Sequence, residues 1–199
     1  MKRREFVGLA GAAVGAGLIA ARPVAAAARV PTPSQAEGPF YPVEPIPLRS
    51  DLVRRVPDRI ADGTLLELSG QVLDLDGRPL AGARVEIWQC DNTGHYRHPR
   101  DSAPERLDPG FDGYGAQLTD RQGAYRFLTI MPVPYTGRPP HIHAKVHHPG
   151  GVLITQIYLK GQEAERGFLS LLMGGDRSRL VIDPQPAGKG RAARFSFVV

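Results

Sequence analysis

An all-β chain is what this sequence predicts: a single-domain antiparallel β-sandwich behind an irregular N-terminal arm, with long loops between its strands. Three observations lead there. From Leu65 onward, short runs of aliphatic, β-branched and aromatic residues alternate with turn signals, the pattern of a sandwich. Between Val30 and Arg59 stand Pro31, Pro33, Pro39, Pro42, Pro45, Pro47 and Pro57, too many for a helix or a central strand. Helical patterning is confined to one short stretch, Glu163 to Met173.

The elements follow in order. Residues 1–27 read as an export signal: Lys2-Arg3-Arg4-Glu5-Phe6 is a twin-arginine start, Val7 to Ala20 is apolar and rich in Gly and Ala, and Ala25-Ala26-Ala27 offers small residues for cleavage. This implies a periplasmic or extracellular protein, with the signal either cleaved or kept as an N-terminal anchor. Residues 28–64 form the Pro-rich arm, laid over the domain of residues 65–199. Leu66 to Leu73 reads as a strand and Asp74 to Pro79 as its turn. Ala83, Val85 and Ile87 alternate with Arg84, Glu86 and Trp88, as in a half-buried strand. Further strands are expected at Tyr125 to Ile130, His141 to His147, Leu153 to Leu159, Arg179 to Ile182 and Arg194 to Val198, the last with Phe195, Phe197 and Val199 on one face.

Charge and cysteine use narrow the function. Taking away the signal, with Lys2, Arg3, Arg4 and Arg22 against Glu5, turns 25 basic and 20 acidic residues into 21 and 19, so the formal charge falls from +5 to +2. Nothing in that balance calls for nucleic acid. The remaining chain of about 170 residues suits one core. Cys90 is the single cysteine, so stability must come from packing and any bound metal.

The chemistry lies in Arg138-Pro139-Pro140-His141-Ile142-His143, preceded by Tyr135 and, much earlier, by Tyr96. On a strand His141 and His143 share one face, about 7 Å apart by the rise, and can hold one metal ion between them. A phenol ionises near pH 10 and is a poor ligand at neutral pH unless a strongly charged cation displaces its proton; ferric iron is such a cation. Taken singly, each residue has a plainer reading: the His pair as surface or core histidines, Tyr135 as a corner tyrosine, Tyr96 as part of a polar loop. His147 shares the face of His143 but leads with His148 into the Pro149-Gly150-Gly151 turn, and both read as solvent-facing. Cys90 reads as a packed thiol. Asp74-Leu75-Asp76-Gly77 begins like a calcium loop but lacks the later acidic ligands. A cupin would need a Glu four or five residues after the His pair, where His147 and His148 stand.

In these residues and their order the chain resembles the intradiol ring-cleavage dioxygenases, most closely the iron-bearing subunit of the protocatechuate branch. The resemblance runs from Glu37-Gly38-Pro39-Phe40-Tyr41-Pro42 through Val85-Glu86-Ile87-Trp88-Gln89, Gly94-His95-Tyr96, Tyr125 to Ile130 and Arg138 to His143, ending at Thr155-Gln156-Ile157-Tyr158. It implies a mononuclear non-haem Fe(III), held by Tyr96, Tyr135, His141 and His143, with Tyr135 and His143 axial. Tyr135 is also expected to leave the metal and act as a base. Arg138 is expected to stabilise negative charge on the ring, Gln156 to sit just outside the ligands, and Trp88 and the Gly38-Pro39-Phe40 arm to line the substrate site. The implied partners are a catechol-type substrate and O2, the product a cis,cis-muconate; homo- or hetero-oligomeric assembly stays open. The Tyr135-to-Arg138 segment is several residues shorter than in protocatechuate dioxygenases, which leaves the substrate open. A rival reading rests on Ser69 to Asp74, Pro79 to Ala83 and Asp120 to Tyr125, which also look like a transthyretin-like, non-catalytic binding sandwich. The same four donors could also hold copper or zinc.

Overall fold

The computed structural model describes residues 29–135, 137–162 and 177–199. The stretches read as an export signal, residues 1–27, and as a helix, Glu163 to Met173, lie outside them. Ten strands are formed: β1 (Leu65–Leu73), β2 (Arg84–Trp88), β3 (Tyr114–Leu118), β4 (Ala124–Ile130), β5 (His141–His148), β6 (Gly151–Leu159), β7 (Val181–Ile182), β8 (Gln185–Ala187), β9 (Gly190–Arg194) and β10 (Phe197–Val198). The only helical elements among the described residues are 3-10 turns at Pro104–Arg106 and Ser178–Leu180.

The strands make two five-stranded sheets. One is centred on β1, flanked by β4 on one side and by β9 and β10 on the other, with β8 outside β9; the second runs β3-β2-β5-β6-β7. Pairing is mainly antiparallel, but β9 and β10 run parallel to β1, and β7 parallel to β6, so the sandwich is mixed rather than purely antiparallel. The expected strand Arg194 to Val198 is broken into β9 and β10 around Phe195 and Ser196. There the Phe195 backbone bulges towards β1: a Cβ on Gly70 would lie 1.6 Å from the Phe195 carbonyl oxygen, so only glycine fits. The buried Tyr125 hydroxyl donates to that same carbonyl at 2.6 Å. Arg179 to Ile182 is half 3-10 turn and only two residues of strand.

The core fills the space between the sheets. Leu66, Leu68 and Val72 of β1 and Phe127 of β4 meet Val85 and Ile87 of β2, Ile142, Ala144 and Val146 of β5 and Ile157 of β6, all fully buried. Because side chains alternate along β2 and β5, their other residues point away from this core. Arg84, Glu86 and Trp88 stand opposite His147, Lys145 and His143, with Gln156 and Tyr158 of β6 opposite His143 and His141. A half-buried strand would leave this outer face in water. It is instead covered: Glu86 and Trp88 are 4% and 1% exposed, so β2 is buried on both sides. The cover is the N-terminal arm, which is hydrogen-bonded to both sheets, Thr32 to Val198, Gln35 to Ile154 and Arg49 to Ala116.

Candidate metal centre

The four expected donors come from three separate stretches of chain. His141 and His143 project from the outer face of β5, both 1% exposed. Their Nε2 atoms approach to 3.1 Å, far closer than the strand rise alone, because the side chains lean together. Nδ1 of His141 donates to the Pro139 carbonyl at 2.6 Å, which fixes the tautomer and leaves Nε2 as a bare lone pair. Burial, with Arg138 and Arg177 nearby, pushes His141 down to about 4, and burial with His141 and Arg138 pushes His143 well below its ordinary value. Both rings are therefore neutral, as ligands must be.

Tyr135 and Arg138 close a tight turn. The Arg138 amide donates to the Tyr135 carbonyl at 2.7 Å, and Gly137 at φ +77° supplies the left-handed position that such a turn requires. The short Tyr135-to-Arg138 segment thus pairs the backbones of the two residues that carry the phenol and the guanidinium. Tyr96 arrives on a long loop that two carboxylates organise. Asp91 accepts from the Thr93, His95 and Asp108 amides at 2.8, 3.1 and 2.9 Å. Asp101 accepts from the Tyr96 amide at 2.8 Å and from His95 Nδ1 at 2.9 Å. Burial alone would raise the Asp101 carboxyl, but these bonds and that of the Ala103 amide hold it below its ordinary value.

The donors converge. Ring centroids lie 5.1 Å apart for Tyr96 and Tyr135, 5.5 Å for Tyr135 and His141, 6.1 Å for Tyr96 and His143, and 4.6 Å for the two histidines. Burial pushes the Tyr96 phenol well above its ordinary value; Tyr135 and Cys90 add to this and Arg138 opposes it. Its hydroxyl has no well-formed hydrogen bond among the described residues, although the Tyr135 phenol stands close by; Nδ1 of His143 is likewise buried without a partner. Two imidazole nitrogens 3.1 Å apart have the spacing of neighbouring ligands at about 2.1 Å from one ion. The donors gathered here are two imidazoles and two phenols, so a metal held by all four must be one that accepts phenolate. These observations fit a hard, highly charged cation better than zinc.

Around the donors the other expected residues fall into place unevenly. Arg138 Nη2 donates to Gln156 Oε1 at 2.9 Å, and Tyr158 donates to the same oxygen at 2.7 Å. Trp88 stacks flat on His143, at 4.8 Å and 7°, and being 1% exposed it backs the histidine instead of facing open space. Pro39 is exposed on the arm. A cavity of about 400 Å³ opens beside Arg138, walled by Pro134, Pro139, Gly161 and Gln162. Cys90 is packed, its thiol pushed up to about 12 by burial. His147 is not simply solvent-facing: its Nε2 lies 3.3 Å from Glu86 Oε2. The Gly38-Pro39-Phe40 arm, expected to line the substrate pocket, lies instead directly on the donors: Phe40 stacks on Tyr96 at 4.6 Å and 17°, and a Cβ on Gly38 would come within 3.1 Å of His143 Cε1. Sequence reasoning passed over Glu86, although its period-two relation to Trp88 puts both on one face.

A family model described as dioxygenase matches residues 36–197. The chain belongs to this family, the intradiol ring-cleavage dioxygenases. It is 38% identical over 134 residues to the protocatechuate 3,4-dioxygenase beta chain of Burkholderia cepacia, covering 62% of this chain and 57% of that protein. It is 36% identical over 148 residues to catechol 1,2-dioxygenase of Candida albicans, 64% of this chain and 46% of that one. The chain spans about half the length of these relatives. Among solved structures, the dioxygenase domain of a dioxygenase and carbohydrate-binding protein fusion from Streptomyces sp. SirexAA-E is 32% identical, with TM-score 0.67 over 85% of this chain and 98% of that one. An intradiol ring-cleavage dioxygenase from Tetranychus urticae is 26% identical, with TM-score 0.64 over 84% and 93%.

Proposed function

We propose that this chain is a mononuclear, non-haem Fe(III) enzyme that opens the ring of a catechol-type substrate between its two hydroxyl-bearing carbons, using O2 and giving a cis,cis-muconate. The observation that carries this is the convergence of Tyr96, Tyr135, His141 and His143 on one point, with the Arg138 and Gln156 pair beside it. When bound, ferric iron would withdraw electron density from a chelated catechol and so open its ring to dioxygen.

The protein's own groups do the rest. His141, its Nδ1 proton engaged by Pro139, presents a fixed lone pair and does not titrate near neutral pH. Tyr135, which closes a turn with the cavity-lining Gly137 and Arg138, would as a phenolate be the base that takes the proton of a substrate hydroxyl. Arg138 holds a fixed positive charge at the cavity wall, where negative charge develops on the ring, and Gln156 fixes the guanidinium. Trp88 and the arm keep water from the His143 side. The twin-arginine start supports action outside the cytoplasm, on catechols met there.

The test is the visible spectrum of purified, metal-analysed protein before and after adding catechol and protocatechuate. A red-brown tyrosinate-to-iron band that shifts with a catechol, followed by muconate absorbance in the ultraviolet, is expected. Colourless protein that takes up no iron after ferrous loading and oxidation would leave the transthyretin-like binding sandwich as the better reading.

A further inference from the structure

The arm crosses the candidate metal centre and is tied down by side chains of β2, β5 and β6; Glu86, Lys145 and Gln156 share the outer face with the imidazoles, and Thr155, opposite Ala144, reaches the arm from the inner one. Thr155 Oγ1 donates to the Pro33 carbonyl and Gln156 Nε2 to the Ala36 carbonyl, each at 2.7 Å. Lys145 pairs with Glu37, and its ammonium lies 3.6 Å over the centroid of the Tyr41 ring. The deepest tie is Glu86. A carboxylate with 4% exposure and no place in the donor set demands compensation, because burying an ion is unfavourable unless it is paired and hydrogen-bonded. Glu86 accepts from the Tyr41 hydroxyl at 2.9 Å and from Arg84 Nε at 2.7 Å, and it faces His147 Nε2 at 3.3 Å.

Between the tethered residues Glu37 and Tyr41 lie those that touch the donors. Gly38, at φ +79°, rests on His143, and Phe40 covers Tyr96 face-on while meeting Tyr135 edge-on at 6.1 Å. So short a span, held at both ends, cannot lift from the centre unless one tether opens. We propose that Tyr41 and Glu86 form a latch that holds the arm over the centre, which makes them positioning residues for His143 and Tyr96. For its metal readout the latch rests on the ferric reading given above; for its structural readout it does not.

The chain carries its own reporter. Trp88 is its single tryptophan, and the ring sits between the edge of Tyr41, at 5.0 Å and 82°, and the face of His143. The experiment compares the full-length Tyr41→Phe and Glu86→Gln variants with wild type. In metal-free protein the readout is acrylamide quenching of Trp88 emission; in iron-loaded protein it is the rate of iron loss to a chelator. Losing a hydrogen bond to an ionised acceptor raises the open-arm population about tenfold, and quenching and iron loss should rise together by up to that factor. Tyr125→Phe removes a buried hydrogen bond on the other sheet and is the control for simple destabilisation; it should move neither. Quenching in both latch variants equal to wild type, or raised as much in Tyr125→Phe, overturns the latch. A wild type that takes up no iron would sink the ferric reading and leave the Trp88 comparison to decide the latch alone.

Discussion

Arg138→Ala should separate rate from metal binding and from stability. The guanidinium donates to Gln156 Oε1, but that oxygen also accepts from Tyr158, so removing Arg138 leaves the Gln156 oxygen hydrogen-bonded. Its stability cost should therefore stay within about 1 kcal/mol. The four donors are carried by β5, by the Tyr135 turn and by the Tyr96 loop, all of which the substitution leaves in place, and iron content should hold at wild-type level. Turnover is different: a preorganised charge facing the negative charge that develops on the ring is worth roughly 3 to 4 kcal/mol, which is 10² to 10³ in kcat. Arg138→Lys, which keeps the charge but loses the planar fork that grips Gln156, should fall between. The assay is muconate absorbance and oxygen uptake on protein of measured iron content, alongside a thermal melt. An iron-replete Arg138→Ala enzyme within tenfold of wild-type kcat would refute the electrostatic role.

Three further outcomes follow from the geometry. Tyr96→Phe and His141→Ala should each lower iron content, read by metal analysis, since each removes one of four donors; full iron in both would remove the site assignment. Tyr125→Phe should cost about 1 to 3 kcal/mol in denaturant melts, because it leaves the Phe195 carbonyl of the β9–β10 break without its buried donor. The Asp101 carboxyl is held below its ordinary value in the folded state, so its contribution is fully present above the unfolded value of about 4 and is lost as pH falls below it. Urea midpoints measured from pH 6 to pH 3 should therefore decline less steeply in Asp101→Asn than in wild type, and parallel declines would show that Asp101 is not the anchor of the Tyr96 loop.

What could be read in the sequence was whatever local periodicity and residue chemistry encode. Alternation in 84–88 and 141–147 specified β2 and β5 and put His141 and His143 on one face, because a strand's side chains alternate whatever surrounds it. Prolines between 31 and 57 specified an arm that lies over other structure. β3, β8 and β9 escaped notice: Gly190–Arg194 lacks an apolar alternation, the alternation of Tyr114–Leu118 is weakened by the small Gly115 and Ala116, and their strand state is imposed by pairing with β1 and β2. The same pairing across long sequence separations broke the expected last strand at Phe195, where Gly70 and Tyr125 meet its carbonyl.

By itself, the sequence determined an all-β chain and its dioxygenase family, together with the residue types for a phenolate and imidazole centre; ligand chemistry is a property of side chains and survives any rearrangement. Only the tertiary structure decided that the outer face of β2 is covered, that Trp88 backs His143, and that Phe40 and Gly38 lie against the donors. Those contacts join residues some fifty to a hundred positions apart. No local pattern can encode such pairs, because they exist only once two sheets have packed and the arm has closed over one of them.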